Sequence, residues 1–264
     1  MLVVLEDDDQ SLSRDAAAIV AHTVRSQPRV TLGLATGSTP IGMYRELVRL
    51  HQEEQLDLSH VVTFNLDEYI GLKPDHPQSY HAYMSRHFFD HVNISRENIH
   101  IPDGSVHASY DEYCAWYEAC IREAGGIDLQ VLGIGKEGHI GFNESSSSLG
   151  SRTRLKVLAL QTIEDNRRFF GPCEDVPDCA ITMGLGTILE ARRILLLASG
   201  AHKAKAVAAA VEGPVTASVT ASVLQFHPHV TVLVDQGAAS ELRRTSDYRR
   251  IIEITRKANP ERLW

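Results

Sequence analysis

In the segment Gly133-Ile134-Gly135-Lys136-Glu137-Gly138-His139-Ile140-Gly141-Phe142-Asn143-Glu144, a histidine stands among carboxylates on a glycine-rich stretch. An imidazole flanked by carboxylates can take and give protons near neutral pH. Read alone, the segment also fits a tight turn carrying a solvated His and Glu. A second acidic pair lies in Asn65-Leu66-Asp67-Glu68-Tyr69, just past the apolar run 61–64. Carboxylates at the C-terminal end of a strand are well placed for a general base. Neighbours on an extended segment point to opposite sides, so one of the pair would face a substrate and the other would be structural. The plainer alternative is a solvated acidic turn.

Anion chemistry is suggested by Gly33-Leu34-Ala35-Thr36-Gly37-Ser38-Thr39-Pro40. A strand end, a small-residue loop and a helix start offer backbone N–H groups, a favourable dipole and hydroxyl donors. The Gly-Lys-Ser/Thr of a P-loop is missing, as is the G-x-G-x-x-G of a dinucleotide loop. A single phosphate on a small molecule fits better than a nucleotide, and an ordinary capped helix start is the competing reading. Arg167, Arg168 and Lys203 are unremarkable singly. Together with the loop at 36–39 they could clamp a phosphate, Arg as a fork and Lys as a point charge. No H-E-x-x-H or zinc-spaced Cys/His array occurs, and His227-Pro228-His229 is not a metal site by itself.

These residues need a scaffold of strand ends. Strand-like runs at 30–34, 61–64, 129–134, 155–158, 194–198 and 230–234 alternate with helical patterns. The helices are expected near 11–26, 41–55, 78–89, 109–124, 161–170, 185–191, 202–212 and 238–257. Pro40 suits a first helical turn, with Ser38 or Thr39 as its cap. Several strand runs are apolar throughout, as in parallel strands covered on both faces. The pattern predicts an α/β fold, a doubly wound, mostly parallel sheet flanked by helices. No linker or internal repeat divides the chain, so one domain over 1–264 is expected, with the serine run 145–148 as a functional loop.

The chain has 264 residues, 43% hydrophobic and 23% charged, with a formal net charge of -8. That balance argues against a nucleic-acid partner, which would want a basic stripe. The acidic cluster Glu6-Asp7-Asp8-Asp9 reads as a solvated turn. No apolar run approaches a membrane span, and residues 1–10 lack the basic start of a signal peptide. Cys114, Cys120, Cys173 and Cys179 show no C-x-x-C spacing. They are expected to be free thiols in a reducing, cytoplasmic setting, Cys114 and Cys120 on one helix without facing each other.

In this order and at these distances the motifs resemble the glucosamine-6-phosphate deaminase family. The likeness rests on Thr36-Gly37-Ser38-Thr39-Pro40, Phe64-Asn65-Leu66-Asp67-Glu68-Tyr69, the stretch 133–144 and Ser151-Arg152-Thr153-Arg154-Leu155-Lys156. It continues through Arg168-Phe169-Phe170, Gly200-Ala201-His202-Lys203 and Leu224-Gln225-Phe226-His227-Pro228. It spans nearly the whole chain. Each piece is weak alone, and the ordered set is highly specific.

The resemblance implies cofactor-free isomerisation and deamination of glucosamine 6-phosphate to fructose 6-phosphate and ammonia. By the same resemblance His139, supported by Glu137 and Glu144, opens the sugar ring, and Asp67 removes the C2 proton. The phosphate would sit on Ser38, Thr39, Arg168 and Lys203. Ser147, Arg154, Lys156 and Tyr248 match an allosteric site for N-acetylglucosamine 6-phosphate between subunits of a hexamer. Alternate outward residues on an edge strand are the competing reading of Arg154 and Lys156. The chain departs from the family pattern at Glu137, where an aspartate is usual, and at Ser145, where a proline commonly follows Asn-Glu. The extra methylene would displace His139 by about an ångström, unless the backbone compensates. Ser145 would loosen the loop.

Two other functions compete. A 6-phosphogluconolactonase shares the architecture and the phosphate logic, but lactone hydrolysis needs no C2 base, so Asp67 argues for the deaminase. A non-catalytic sugar-phosphate sensor would not need Asp67, His139 and Glu144, and the chain shows no DNA-binding element.

Overall fold

Runs of Val, Leu and Ile buried on both faces build the central sheet. In the computed structural model, residues 1–105, 109–172 and 174–258 are described; the expected free thiol Cys173 lies outside them. The strands are β1 (Leu2–Glu6), β2 (Val30–Leu34), β3 (Val61–Asn65), β4 (Asp67–Tyr69), β5 (Ile99–His100), β6 (Leu129–Gly133), β7 (Arg154–Val157), β8 (Cys179–Thr182), β9 (Arg193–Ala198) and β10 (Val230–Asp235). The helices are α1 (Asp9–Ser26), α2 (Pro40–Glu54), α3 (Tyr80–His87), α4 (Tyr110–Glu123), α5 (Leu160–Arg167), α6 (Leu185–Leu189), α7 (Ala204–Glu212) and α8 (Thr245–Ala258).

Seven strands pair in parallel in the order β1-β10-β9-β6-β2-β3-β5. One core packs on one face with α4, α6 and α7. A second packs on the other face with α1, α2 and α3. The expected doubly wound, mostly parallel architecture is therefore present. From β2 the chain crosses to β3 on one side, and from β6 it continues to β9 on the other. The β2/β6 boundary is thus the topological switch point, where loops part and leave a crevice at the strands' C-terminal ends.

Run 155–158 is a strand, but not of this sheet. It forms β7, the half-exposed edge of an antiparallel sheet ordered β4-β8-β7. The strands β1, β4, β5 and β8 went unexpected. β4 is three residues long, two of them acidic, and it is a strand because Asp67 pairs with Thr182 across 115 positions of sequence. The acidic cluster at 6–9 is only in part the expected solvated turn: Asp7 and Asp8 form an exposed bend, but Glu6 ends β1, Asp9 opens α1, and Asp8 caps that helix, its carboxylate accepting from the Ser11 N–H at 2.7 Å. The helix expected over 238–257 begins only at Thr245. Before it, the Glu212 carboxylate accepts the backbone N–H groups of Arg243 and Arg244 and draws the chain out of helical register. Cys114, Cys120 and Cys179 are unpaired, and the first two share α4.

Candidate active site

Asp67 and Glu68 divide as alternation requires. Glu68 points away from the crevice: its carboxylate accepts the N–H groups of Tyr69 at 2.8 Å, Tyr80 at 2.8 Å and His81 at 3.2 Å. It therefore holds the first turn of α3 in place, although burial, opposed by these N–H groups, raises its carboxyl to about 7. Asp67 faces the crevice. It is 5% exposed, and its carboxylate accepts no hydrogen bond from the described residues. Burial, reinforced by the neighbouring Glu68 charge, raises it to about 8.

The glycine-rich loop approaches the same carboxylate. A Cβ at Gly141, where φ is +55°, would lie 3.4 Å from Asp67 Oδ2. The loop is tied to β8 and the segment after it: the Phe142 N–H donates to Thr182 Oγ1 at 3.1 Å, and the Asn143 amide donates to Met183 O at 2.8 Å. Asn143 also donates to Ile140 O at 3.0 Å and accepts from Arg154 at 3.0 Å. Within the loop the Gly135 N–H donates to His139 O at 2.8 Å, closing a turn. A side chain at Gly135 would meet the His139 ring at 2.3 Å, so this glycine is what lets the imidazole lie flat on the backbone.

His139 Nδ1 lies 3.4 Å from Glu144 Oε2, an ion-pair distance without hydrogen-bond alignment. Burial lowers its pKa, opposed chiefly by the Glu144 charge. The ring is therefore neutral near pH 7 and can accept a proton. Glu137 does not take up the expected support of this ring. It sits at the exposed tip of the turn, outside the crevice lining, with no hydrogen bond or ion pair to a described residue. It reaches His139 only as a through-space charge. The Gly135-to-His139 closure and the positive φ of Gly138 (+80°) turn the tip outward.

Asp67 and His139 line one open cleft together with Ser38, Thr39, Arg168 and Lys203. Thr39 occupies the cap position of α2 but makes no capping hydrogen bond, contrary to the expected cap from Ser38 or Thr39. Pro40 is in the first turn, as expected, and the helix N-terminus is left open to an anion. Lys203 is half-buried, and burial together with the nearby Lys136 and Arg168 charges lowers its pKa. Arg167 is outside the cleft, 3.9 Å from Asp175. Sequence reasoning missed Lys136, Tyr80, Asp165 and His202, all cleft-lining. Lys136 was inside the quoted motif, but nothing in its type or spacing says that it turns in while Glu137 turns out.

Ser147 and Arg154, expected in a second phosphate site, do meet: Arg154 Nη2 donates to Ser147 Oγ at 3.2 Å. Lys156 is half-exposed on the same edge strand. Tyr248 is on α8, donating to Glu212 at 2.9 Å, and takes no part in that contact.

A crevice at the switch point of a doubly wound sheet, holding two bases and a ring of cations, defines an α/β enzyme of acid–base type. The chain belongs to the family described as glucosamine-6-phosphate isomerases/6-phosphogluconolactonase, whose model matches residues 6–233. It is 53% identical over 249 residues to a glucosamine-6-phosphate deaminase of Arthrobacter sp. (strain FB24), covering 94% of this chain and 95% of that protein. It is 50% identical over 240 residues to one of Thermoanaerobacter pseudethanolicus, covering 91% and 94%. A solved structure described as a monomeric glucosamine-6-phosphate deaminase matches with a TM-score of 0.89 and 46% identity, over 91% of this chain and 100% of that one. A 6-phosphogluconolactonase from Trypanosoma brucei shares the fold, with a TM-score of 0.72 at 19% identity over 91% of this chain and 98% of that one. Among the described residues no helix is long and apolar enough to cross a membrane.

Proposed function

We propose that this chain is a glucosamine-6-phosphate deaminase, forming fructose 6-phosphate and ammonia. The observation that carries the reading is Asp67: a buried carboxylate, unclaimed by the protein, that opens into the same cleft as His139 and the cations. A carboxylate with no partner is free to take a proton from carbon, and burial has raised its affinity for one. Lactone hydrolysis has no use for such a base.

The phosphate rests at the open N-terminus of α2 on Ser38 and Thr39, between Arg168 and Lys203. Neutral His139 takes the proton of the anomeric hydroxyl and returns it to the ring oxygen, breaking the C1–O5 bond. Glu144 beside Nδ1 stabilises the transient imidazolium. Asp67 then removes the C2 proton, giving an enolamine that is reprotonated at C1. Water adds at C2 and ammonia leaves. Glu137 acts only as a distant negative charge.

A second reading concerns regulation. The Arg154–Ser147 contact supports a further phosphate site at β7, and we propose that N-acetylglucosamine 6-phosphate activates the enzyme there, within a hexamer to which Lys156 and Tyr248 contribute. The unpaired thiols suit a cytoplasmic enzyme, and the paired faces of one sheet suit a single domain over 1–264. The test is ammonia release from glucosamine 6-phosphate, with and without the N-acetylated sugar phosphate, alongside light scattering. Turnover is expected, with a sigmoidal substrate curve made hyperbolic by the effector. Absence of ammonia with hydrolysis of 6-phosphogluconolactone would reverse the first reading. A hyperbolic curve indifferent to the effector, or a monomer in solution, would reverse the second.

A further inference from the structure

The cleft has one wall that is poorly anchored. Helix α5 buries only Thr162, and Leu160 at its start is 84% exposed. Apolar support comes from Ile163 and Phe170, which pack on the small cluster around Tyr69, Phe142 and Leu158. Yet α5 carries Arg168 at its C-terminal cap, with the guanidinium 4.7 Å above the Phe169 ring. A short helix with one buried residue does not hold an arginine in place by packing alone.

The glycine-rich loop supplies what packing does not. Lys136 Nζ donates to Asp165 Oδ1 at 2.8 Å, and Gln161 donates to the same oxygen at 3.2 Å. Among the described residues, the Lys136–Asp165 pair is the ion pair that joins the body of α5 to the loop carrying His139; at the helix start the N-cap Ala159 N–H reaches Glu144 Oε1 at a long 3.5 Å. Asp165 is also the cleft's carboxylate beside Lys136 and Arg168, so it offsets their mutual repulsion with Lys203. The pair is 42% and 28% exposed, which makes its effect on global stability small. Its consequence is local: where α5, and with it Arg168, sits relative to the loop.

We propose that the Lys136–Asp165 ion pair is a strap that positions α5, so that Lys136 is a positioning residue for substrate binding through Arg168 and not itself a phosphate ligand. The proposal rests on the deaminase reading for its substrate, but not for its mechanical content. It predicts that Lys136 and Asp165 act as one unit, because either substitution opens the same strap.

The test is a double-mutant cycle with two readouts. Lys136→Met and Asp165→Asn should each raise KM for glucosamine 6-phosphate about three- to tenfold with kcat within about twofold, and the double variant should be no worse than either. Amide hydrogen exchange in residues 160–168 should quicken in both single variants, without turnover. The swap Lys136→Asp with Asp165→Lys should restore both readouts. If Asp165→Asn leaves KM unchanged or lowers it while Lys136→Met raises it, Lys136 touches the phosphate directly and the strap is wrong. Unchanged α5 exchange in the single variants, or failure of the swap, overturns it equally. If the wild-type chain releases no ammonia, it is the deaminase reading that fails. The exchange arm, repeated with inorganic phosphate as the cleft probe, still decides the strap.

Discussion

Asp67 concentrates the chemistry and its cost. Its carboxyl titrates near 8, against an ordinary value of 3.8, because it is buried beside Glu68. The proposed mechanism requires the ionised form, so kcat/KM should fall as pH drops below about 8, tenfold per pH unit, rather than near 4. In Glu68→Gln the like charge is gone, the Asp67 pKa drops, and that acid limb should move to lower pH; a pH–rate series on the two proteins checks it. The stability sign follows from the same shift. The native state holds the Asp67 proton more tightly than the unfolded chain, so ionisation penalises folding fully above pH 8, and the penalty fades between 8 and 3.8 as pH falls. At pH 8, Asp67→Asn should therefore be more stable than wild type, by on the order of a few kcal/mol. The same variant should lose about 10²–10⁴-fold in kcat. Thermal unfolding and ammonia release on one preparation test both; a destabilised or fully active variant would refute the assignment of the base.

At the scale of elements, the loop after β6 is held by backbone geometry rather than bulk. Gly135 is the position where the His139 ring lies on the main chain, with a would-be Cβ at 2.3 Å. Gly135→Ala should displace the ring and reduce kcat by about 10²-fold while leaving circular dichroism unchanged, since a misplacement of about an ångström is costly in rate. Asn143 ties this loop to the segment after β8 and to Arg154 through its fully buried amide. Asn143→Ala removes the side-chain bonds to Ile140 O and Met183 O, which keep the residue-143 N–H and the Thr182 hydroxyl as donors, and takes an acceptor from Arg154, so denaturant unfolding should show a loss of about 1–3 kcal/mol. Much of this level was legible beforehand. Runs 30–34, 61–64, 129–134, 194–198 and 230–234 became parallel strands because continuous burial leaves a continuous apolar signature. β4 was not legible, since Asp67-Glu68-Tyr69 has no strand pattern of its own and exists by pairing with β8.

For the molecule as a whole, the cleft is assembled from loops after four parallel strands, and the proposed phosphate site draws on several of them at once. Binding should stabilise the native state by mass action, about 2.7 kcal/mol at a hundredfold excess over Kd. Fructose 6-phosphate should therefore raise Tm by several degrees in wild type, and the rise should shrink sharply in Lys203→Met. A full shift in that variant would remove Lys203 from the phosphate set.

The sequence by itself carried the chemical inventory: two bases on separate loops, hydroxyls at a helix start, scattered cations, and strand periodicity enough for a doubly wound sheet. These are local properties, written in residue type and spacing. It did not carry direction. That Asp67 faces the cleft and Glu68 supports α3, that Glu137 turns to solvent while Lys136 turns to Asp165, and that Thr39 leaves its helix uncapped were decided by tertiary structure. In a loop no repeating period fixes where a side chain points. Glycine dihedrals and pairings between residues more than a hundred positions apart set it, and those exist only in the folded chain.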